Sequence, residues 1–341
     1  MLRIFHNTRY DFIKPWKWAV GITIVFILIG IGDLLITGVR YSIEFTGGTL
    51  MQVDFRQPPD VGKLRGALDA AGIRGAEIQQ IGNARSYNIR AQGEQAVAQQ
   101  SAGAENVARE IQNVLTQTFG PDAYTVTSAE LVGPKVGGEL RQKAFIAVLI
   151  SFLVTLIYLA VRFEWRFGVA AVIATGHDIL TTLAFIKLMH LEISLEIVAA
   201  ILTVIGYSLN DTIIIFDRVR EDLKKYRREP LKDTLNRAIN ETLPRSVMTH
   251  ATTAAATLAL LIFAGEVIRP FAWVMLFGIV TGTFSSIYIA GPVLLWIQHR
   301  WPRQVEGQGR PGSATQKEAS APPRQRSQPV GAAASTPARS R

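Results

Sequence analysis

The chain has 341 residues, 48% of them hydrophobic, with a formal charge of +9 and no cysteine. That apolar share is high for a soluble protein and low for one embedded wholly in lipid, so membrane and water-soluble parts are both expected. Without cysteine, disulfide scaffolds, thiolate metal sites and thiol catalysis are excluded.

After a basic N-terminus at residues 1–17, the run 18–39 is the first of six apolar stretches near the ~20 residues a bilayer-crossing helix needs. Only Asp33 interrupts it, near the outer end, where it is expected simply to reach the interface. The run is too long for a signal-peptide core, and no small-residue cleavage pattern follows, so it reads as a retained anchor.

Residues 40–140 carry the periodicities of a small folded domain. Met51, Val53 and Phe55 alternate as on a strand, and Val61, Leu64, Leu68 and Ala71 recur at helical spacing. Short strands are predicted at 78–81 and 87–89. A second helix is predicted through Val107, Ile111, Val114, Leu115 and Phe119, and a closing strand at 124–127. The order β-α-β-β-α-β predicts a ferredoxin-like α+β fold, which implies no chemistry by itself. Two glycine clusters, Gly47-Gly48 after Phe45 and 133–138, lack the spacing of a phosphate loop and read as turns and hinges at the membrane junction.

Five further apolar runs, 144–161, 167–186, 197–216, 246–265 and 270–297, make a bundle over 141–299, with 217–245 read as a basic loop. The predicted class is thus a polytopic α-helical membrane protein, one helix plus five around an external domain. Arg3, Arg9, Lys14, Lys17, Arg162 and Arg166 flank the inner ends, and the 217–245 segment holds nine Lys or Arg against six acids. The loops at 190–196 and 266–269 are acidic or balanced. Both termini are therefore expected in the cytoplasm and 40–140 outside. The net charge then reflects topology and tail, not nucleic-acid binding. The tail, 300–341, is rich in Pro, Gly, Ser and Arg and is expected to be disordered.

Ionisable groups at membrane depth are unfavourable by at least ~2.5 kcal/mol each and mark pathways. The third run has His177 and Asp178 above Thr181 and Thr182. The fourth has Thr203, Tyr207, Asn210 and Asp211 at i, i+4, i+7 and i+8, read as one polar stripe. The fifth begins at Arg245, with Thr249, Thr252, Thr253 and His250 following. One common polar interior is the economical arrangement, with an Asp211–Arg245 pair near the cytoplasmic end. Asp211 reads either as a proton-carrying carboxylate or, with Asn210, as hydrogen-bonding glue between helices. His177 and Asp178 point about 100° apart and are not expected to share a partner. No catalytic constellation, cofactor or metal site is expected.

The segments IGYSLNDTIIIFDRVRE, FTGGT at 45–49, VGPKVGGEL at 132–140, LPRSVMTH at 243–250 and the HD pair resemble the SecF family of bacterial protein-export membrane proteins, related to resistance-nodulation-division exporters. The resemblance implies a non-enzymatic inner-membrane subunit. By it, SecD, the SecYEG channel and YajC are partners, and the proton-motive force drives release of unfolded polypeptide. It implies proton passage at Asp211 and Arg245, a less definite role for His177 and Asp178, and an external-domain motif at Phe45, Gly47 and Gly48. Where the family commonly has Gly-Ile-Asp, this chain has Ser42-Ile43-Glu44. A proton-driven small-molecule or lipid exporter and a passive membrane scaffold are the competing readings.

Overall fold

In the computed structural model, residues 8–73, 76–91, 102–265 and 267–301 are described. Arg3, Glu266 and nearly all of the expected disordered tail, residues 302–341, lie outside them.

Among the described residues, six helical spans are long and apolar enough to cross a membrane. Helix α1 is Trp16–Thr37 and is followed by a short turn of helix, α2, Ile43–Thr46. The external domain then runs β1 Gly48–Phe55, α3 Val61–Ala70, β2 Glu77–Gln80, β3 Ser86–Ala91, α4 Ala102–Phe119 and β4 Tyr124–Val132. Returning to the bundle, the chain forms α5 Pro134–Arg162, α6 Trp165–Leu188, α7 Leu195–Lys225, α8 Leu231–Phe263, α9 Arg269–Ser285, a π-helical turn at Ser286–Ala290 and α10 Gly291–Arg300.

The external sheet is antiparallel in the order β2-β3-β1-β4, with the β-α-β-β-α-β element order that the periodicities predict. Met51, Val53 and Phe55 on β1 and Ile89 on β3 are buried against Leu64 and Leu68 of α3 and Ile111 and Leu115 of α4. Asp60 starts α3 by accepting from the Gly62 and Lys63 amides at 2.8 and 3.2 Å, so two otherwise unpaired helix-end donors are satisfied.

In the bundle, α1 and α5 expose most of their apolar side chains, as helices facing lipid do, whereas α6, α7 and α9 form the centre. A Cβ on Gly30 of α1 would collide with Ala184 of α6, and one on Gly278 of α9 with Val204 of α7. A Cβ on Gly282 would stand 2.9 Å from Ser208 Cβ. The Gly278 and Gly282 face thus serves this chain's own helix contacts, by the small-residue packing that lets backbones approach in lipid.

Three expectations are corrected. The 217–245 segment is helical apart from a turn at 226–230, because α7 and α8 continue past their apolar runs as a charged hairpin. Arg218 there pairs with Glu241, and Arg237 with Asp222 and Glu229. The second glycine cluster is no hinge: Gly137 lies inside α5, where an added Cβ would sit 2.9 Å from the Gly47 nitrogen and 3.2 Å from the Glu44 carbonyl oxygen. Gly47 and Gly48, at φ 77° and 135°, do form the expected turn. Asp33 does not simply reach the interface; its carboxylate is 3.8 Å from Nζ of Lys187, which donates to the Gly38 carbonyl at 2.8 Å.

Candidate functional site

The polar residues of α6, α7, α8 and α9 gather in two groups. Asp178 of α6, 1% exposed, accepts at Oδ2 from the Ser208 hydroxyl of α7 and from Ser285 of α9 at 2.8 Å. Its Oδ1 meets His177 Nδ1 at 3.1 Å. Next to this, Thr212 of α7 and Ser286 share a hydrogen bond of 3.0 Å. Ser285 and Ser286 sit where α9 passes into the π-helical turn, a local widening found often at functional positions.

The second group centres on Asp211, 3% exposed. Its Oδ1 accepts from the Ser246 hydroxyl of α8, and its buried Oδ2 has no hydrogen-bond partner among the described residues. His250 is an electrostatic neighbour of Asp211, shares a hydrogen bond of 2.7 Å with Thr283, and packs 5.2 Å from the Tyr207 ring. Tyr207 bonds the Thr253 hydroxyl and the Thr249 carbonyl, each at 3.1 Å. Asp211 lies 16 residues into α7, roughly 24 Å along its axis at ~1.5 Å per residue.

The structure divides the expected polar stripe. Asp211 faces the bundle with Ser208 and Thr212, while Asn210 and Thr203 are exposed and Tyr207 lies at the boundary. Asn210 and Asp211 are one residue and so about 100° apart, and the packed face of α7 begins between them. The same rotation decides α8: Ser246 is buried, whereas Arg245, Thr249 and Thr252 are exposed. The expected Asp211–Arg245 pair is therefore absent within this chain. The side chains of His177 and Asp178 bond each other, and among the described residues no third group bonds both side chains, as expected; His177 Nε2 is buried with no partner among those residues.

Ser208, Ser246, Ser285 and Ser286 are the participants that a search for ionisable groups passes over. Their signal was present as serines inside apolar helical runs, adjacent to the Asn-Asp pair and to Arg245 or paired in FSSIY. Phe45, Gly47 and Gly48 are all buried, but at the outer end of the bundle, in the junction with the external domain and not among the membrane polar groups.

Comparison with known proteins gives two family matches: "Protein export membrane protein SecD/SecF, C-terminal" over residues 111–300, and "SecD/SecF GG Motif" over residues 34–59. Among curated proteins, the protein translocase subunit SecF of Gemmatimonas aurantiaca is 63% identical over 305 residues, covering 89% of this chain and 91% of the relative. That of Rickettsia felis is 37% identical over 302 residues, covering 88% and 96%. Among solved structures, the crystal structure of SecDF, a translocon-associated membrane protein from Thermus thermophilus, superposes with a TM-score of 0.76 at 35% identity. The match covers 86% of this chain and spans 39% of the longer SecDF chain.

Proposed function

This chain belongs to the SecD/SecF protein-export family as a SecF-type translocase subunit, and from that membership we propose that it pairs with SecD and couples proton passage to the release of exported polypeptide. Asp211 is the proton-carrying group. The observation that carries this reading is the carboxylate's asymmetry: one oxygen is held by Ser246, and the other is buried at membrane depth with no partner among the described residues. A carboxyl group so placed can take up and give up a proton without dismantling a hydrogen-bond network. A proton crossing down the membrane potential brings roughly 2.3 kcal/mol per 100 mV, enough to bias two conformations that differ by a few kcal/mol.

The exposed polar face supports the partnership. Asn210 of α7 and Arg245 of α8 would meet hydrocarbon in an isolated subunit, at a cost that a second bundle removes; Thr203, Thr249 and Thr252 on the same exposed surfaces bond carbonyls of their own helices. In this reading SecD covers that face, and Asn210 and Arg245 line the proton route from the partner's side. Asp178, already bonded by Ser208, Ser285 and His177, serves as the brace that fixes α6, α7 and α9 around the route. That role favours structure over proton transfer for His177 and Asp178.

In the same reading the protein sits in the bacterial inner membrane, with both termini and the charged α7–α8 hairpin in the cytoplasm and the external domain outside. It works as a non-enzymatic accessory beside the SecYEG channel, with YajC as a further partner. The test is gradient-dependent release of an exported protein from membranes carrying Asp211→Asn, with SecD co-purification as control. Release that loses its dependence on the gradient while the pair stays intact supports the assignment. Normal release makes Asp211 a structural residue, and the proton relay must then be sought at Asp178 or in the partner.

A further inference from the structure

The segment between α1 and β1 does more than connect them. Its backbone forms an isolated parallel bridge, Tyr41 to Ile193, with the loop that leads into α7. The Ser42 amide donates to the Ile193 carbonyl at 3.0 Å, and the Ile193 amide donates to the Arg40 carbonyl at 2.8 Å. Two residues on, Glu44 Oε2 accepts from the Leu195 amide at 2.6 Å. Leu195 is the first residue of α7, and its own cap, Ser194, serves the Ile197 amide at 3.3 Å. The helix that carries Asp211 thus has its outer end capped by a carboxylate from 151 residues earlier in the chain, the charge sign that a helix N-terminus favours.

This segment is itself held firmly. Ser42, Ile43 and Phe45 are buried, and the backbone at Glu44–Gly47 lies against Gly137 of α5 with no room for a side chain there. From the sheet, Arg90 of β3 pairs with Glu192 and donates to the Tyr41 carbonyl at 3.4 Å. Beta-strand β1 begins at Gly48, directly after the turn.

We propose that residues 40–44 form the mechanical linkage between the proton-carrying helix and the external domain, with Glu44 as the positioning residue that seats the N-terminus of α7 on it. The proposal rests on the proton-coupled function given above. Directional backbone bonds and a helix cap transmit a shift or tilt of α7 to β1 without a flexible loop between them. The bridge stays closed through the cycle. The Glu of Ser42-Ile43-Glu44 is a working group in this arrangement, its carboxylate reaching the Leu195 amide.

The test uses the full-length chain with SecD in membranes and reads gradient-dependent release. Ser42 has φ −68°, a value proline adopts, so Ser42→Pro deletes the amide that reaches Ile193 at a φ the ring accepts; Ser42→Ala, which loses only the hydroxyl that reaches Glu44 Oε2 at 3.3 Å, is the control. Gradient-dependent release is expected to fall at least about tenfold while SecD still co-purifies; release that keeps its wild-type response overturns the linkage. Because the chain has no cysteine, Tyr41→Cys with Ile193→Cys gives a reversible lock on the bridge. Oxidised and reduced forms are expected to release within about twofold of each other. If oxidation stops release and reduction restores it, the bridge must open and the proposal fails. Should the unmodified chain show no response to the gradient, the proton-coupled function itself is refuted and the linkage falls with it. A responsive unmodified chain beside a responsive Ser42→Pro refutes the linkage alone.

Discussion

The Ser246 hydroxyl donates to Oδ1 of Asp211 across the α7–α8 contact, while Arg245, one residue earlier on α8, lies exposed. Ser246→Ala removes the one side-chain donor this carboxyl has among the described residues, leaving both oxygens buried and unpaired. Loss of about 1–3 kcal/mol is expected, read as a lower unfolding temperature in detergent. Ser246→Thr, which keeps the hydroxyl, should recover part of it. Arg245→Ala should leave the isolated chain's stability within about 0.5 kcal/mol, since an exposed side chain contributes little.

Asp178 draws three helices together through two serines and a histidine. Asp178→Ala strands those donors in the bundle and is expected to destabilise by on the order of 3 kcal/mol. Ser285→Ala, removing one of the three, should cost nearer 1 kcal/mol. Comparing the two by thermal unfolding separates a brace from a site that tolerates loss of its acid.

The α7–α9 contact depends on the absence of side chains at Gly278 and Gly282. Gly278→Leu forces a branched side chain into Val204 and should destabilise by about 1–3 kcal/mol. Val204→Ala in the same chain opens space on the facing helix and should return part of that loss. A double-mutant cycle gives the coupling; additive effects would mean the two faces are not in contact.

Glu130 on β4 has its carboxyl pushed above the usual range by burial first, then by the nearby Glu44 and Glu196 carboxylates. Its charged form is the one the fold disfavours. The penalty is absent below the ordinary value of 4.5 and grows as pH rises through the higher folded value. Glu130→Gln should therefore stabilise the protein at neutral pH and lose that advantage in acid. An equal gain at both ends of a pH series would rule out the electrostatic cause.

Asn240 holds the N-terminal segment by both backbone groups of one residue, accepting from the Tyr10 amide at 3.0 Å and donating to the Tyr10 carbonyl at 2.9 Å. Below it, Ile13 is buried in the bundle core. Asn240→Leu should release this strap at a cost of about 1–2 kcal/mol, and limited trypsin digestion should then cut faster after Arg9, since Lys14 is followed by Pro15 and Lys17 lies inside α1. Unchanged cleavage would show that Ile13, with Asn236 and Lys232 on Ile13 and Asp11, holds the strap without Asn240.

Much of this architecture was legible because lipid imposes a simple rule. Six apolar runs of sufficient length stood out, and strand alternation in Met51, Val53 and Phe55 identified β1. Helix ends were less legible where hydrophobicity stopped being the criterion. Residues 217–225 and 231–245 continue as helix because Val219, Leu235, Ala238 and Ile239 pack into the core while Arg218 and Glu241, and Arg237 and Asp222, pair across the hairpin; that sparse apolar period is hidden among charges when membrane hydrophobicity is the criterion. Gly137 read as a hinge because a glycine required by a close backbone approach looks, in sequence, like one required by a turn.

The sequence by itself determined how many helices span, where they lie, and that Asp178 and Asp211 needed partners, since burying an unpaired polar group in hydrocarbon is unfavourable wherever it occurs. Only the tertiary structure decided which partners. With polar residues on more than one side of α7 and α8, the composition of each helix permits several rotations. Packing of Gly278 and Gly282 against Val204 and Ser208 selects the one that turns Asp211 toward Ser246 and leaves Asn210 and Arg245 outside.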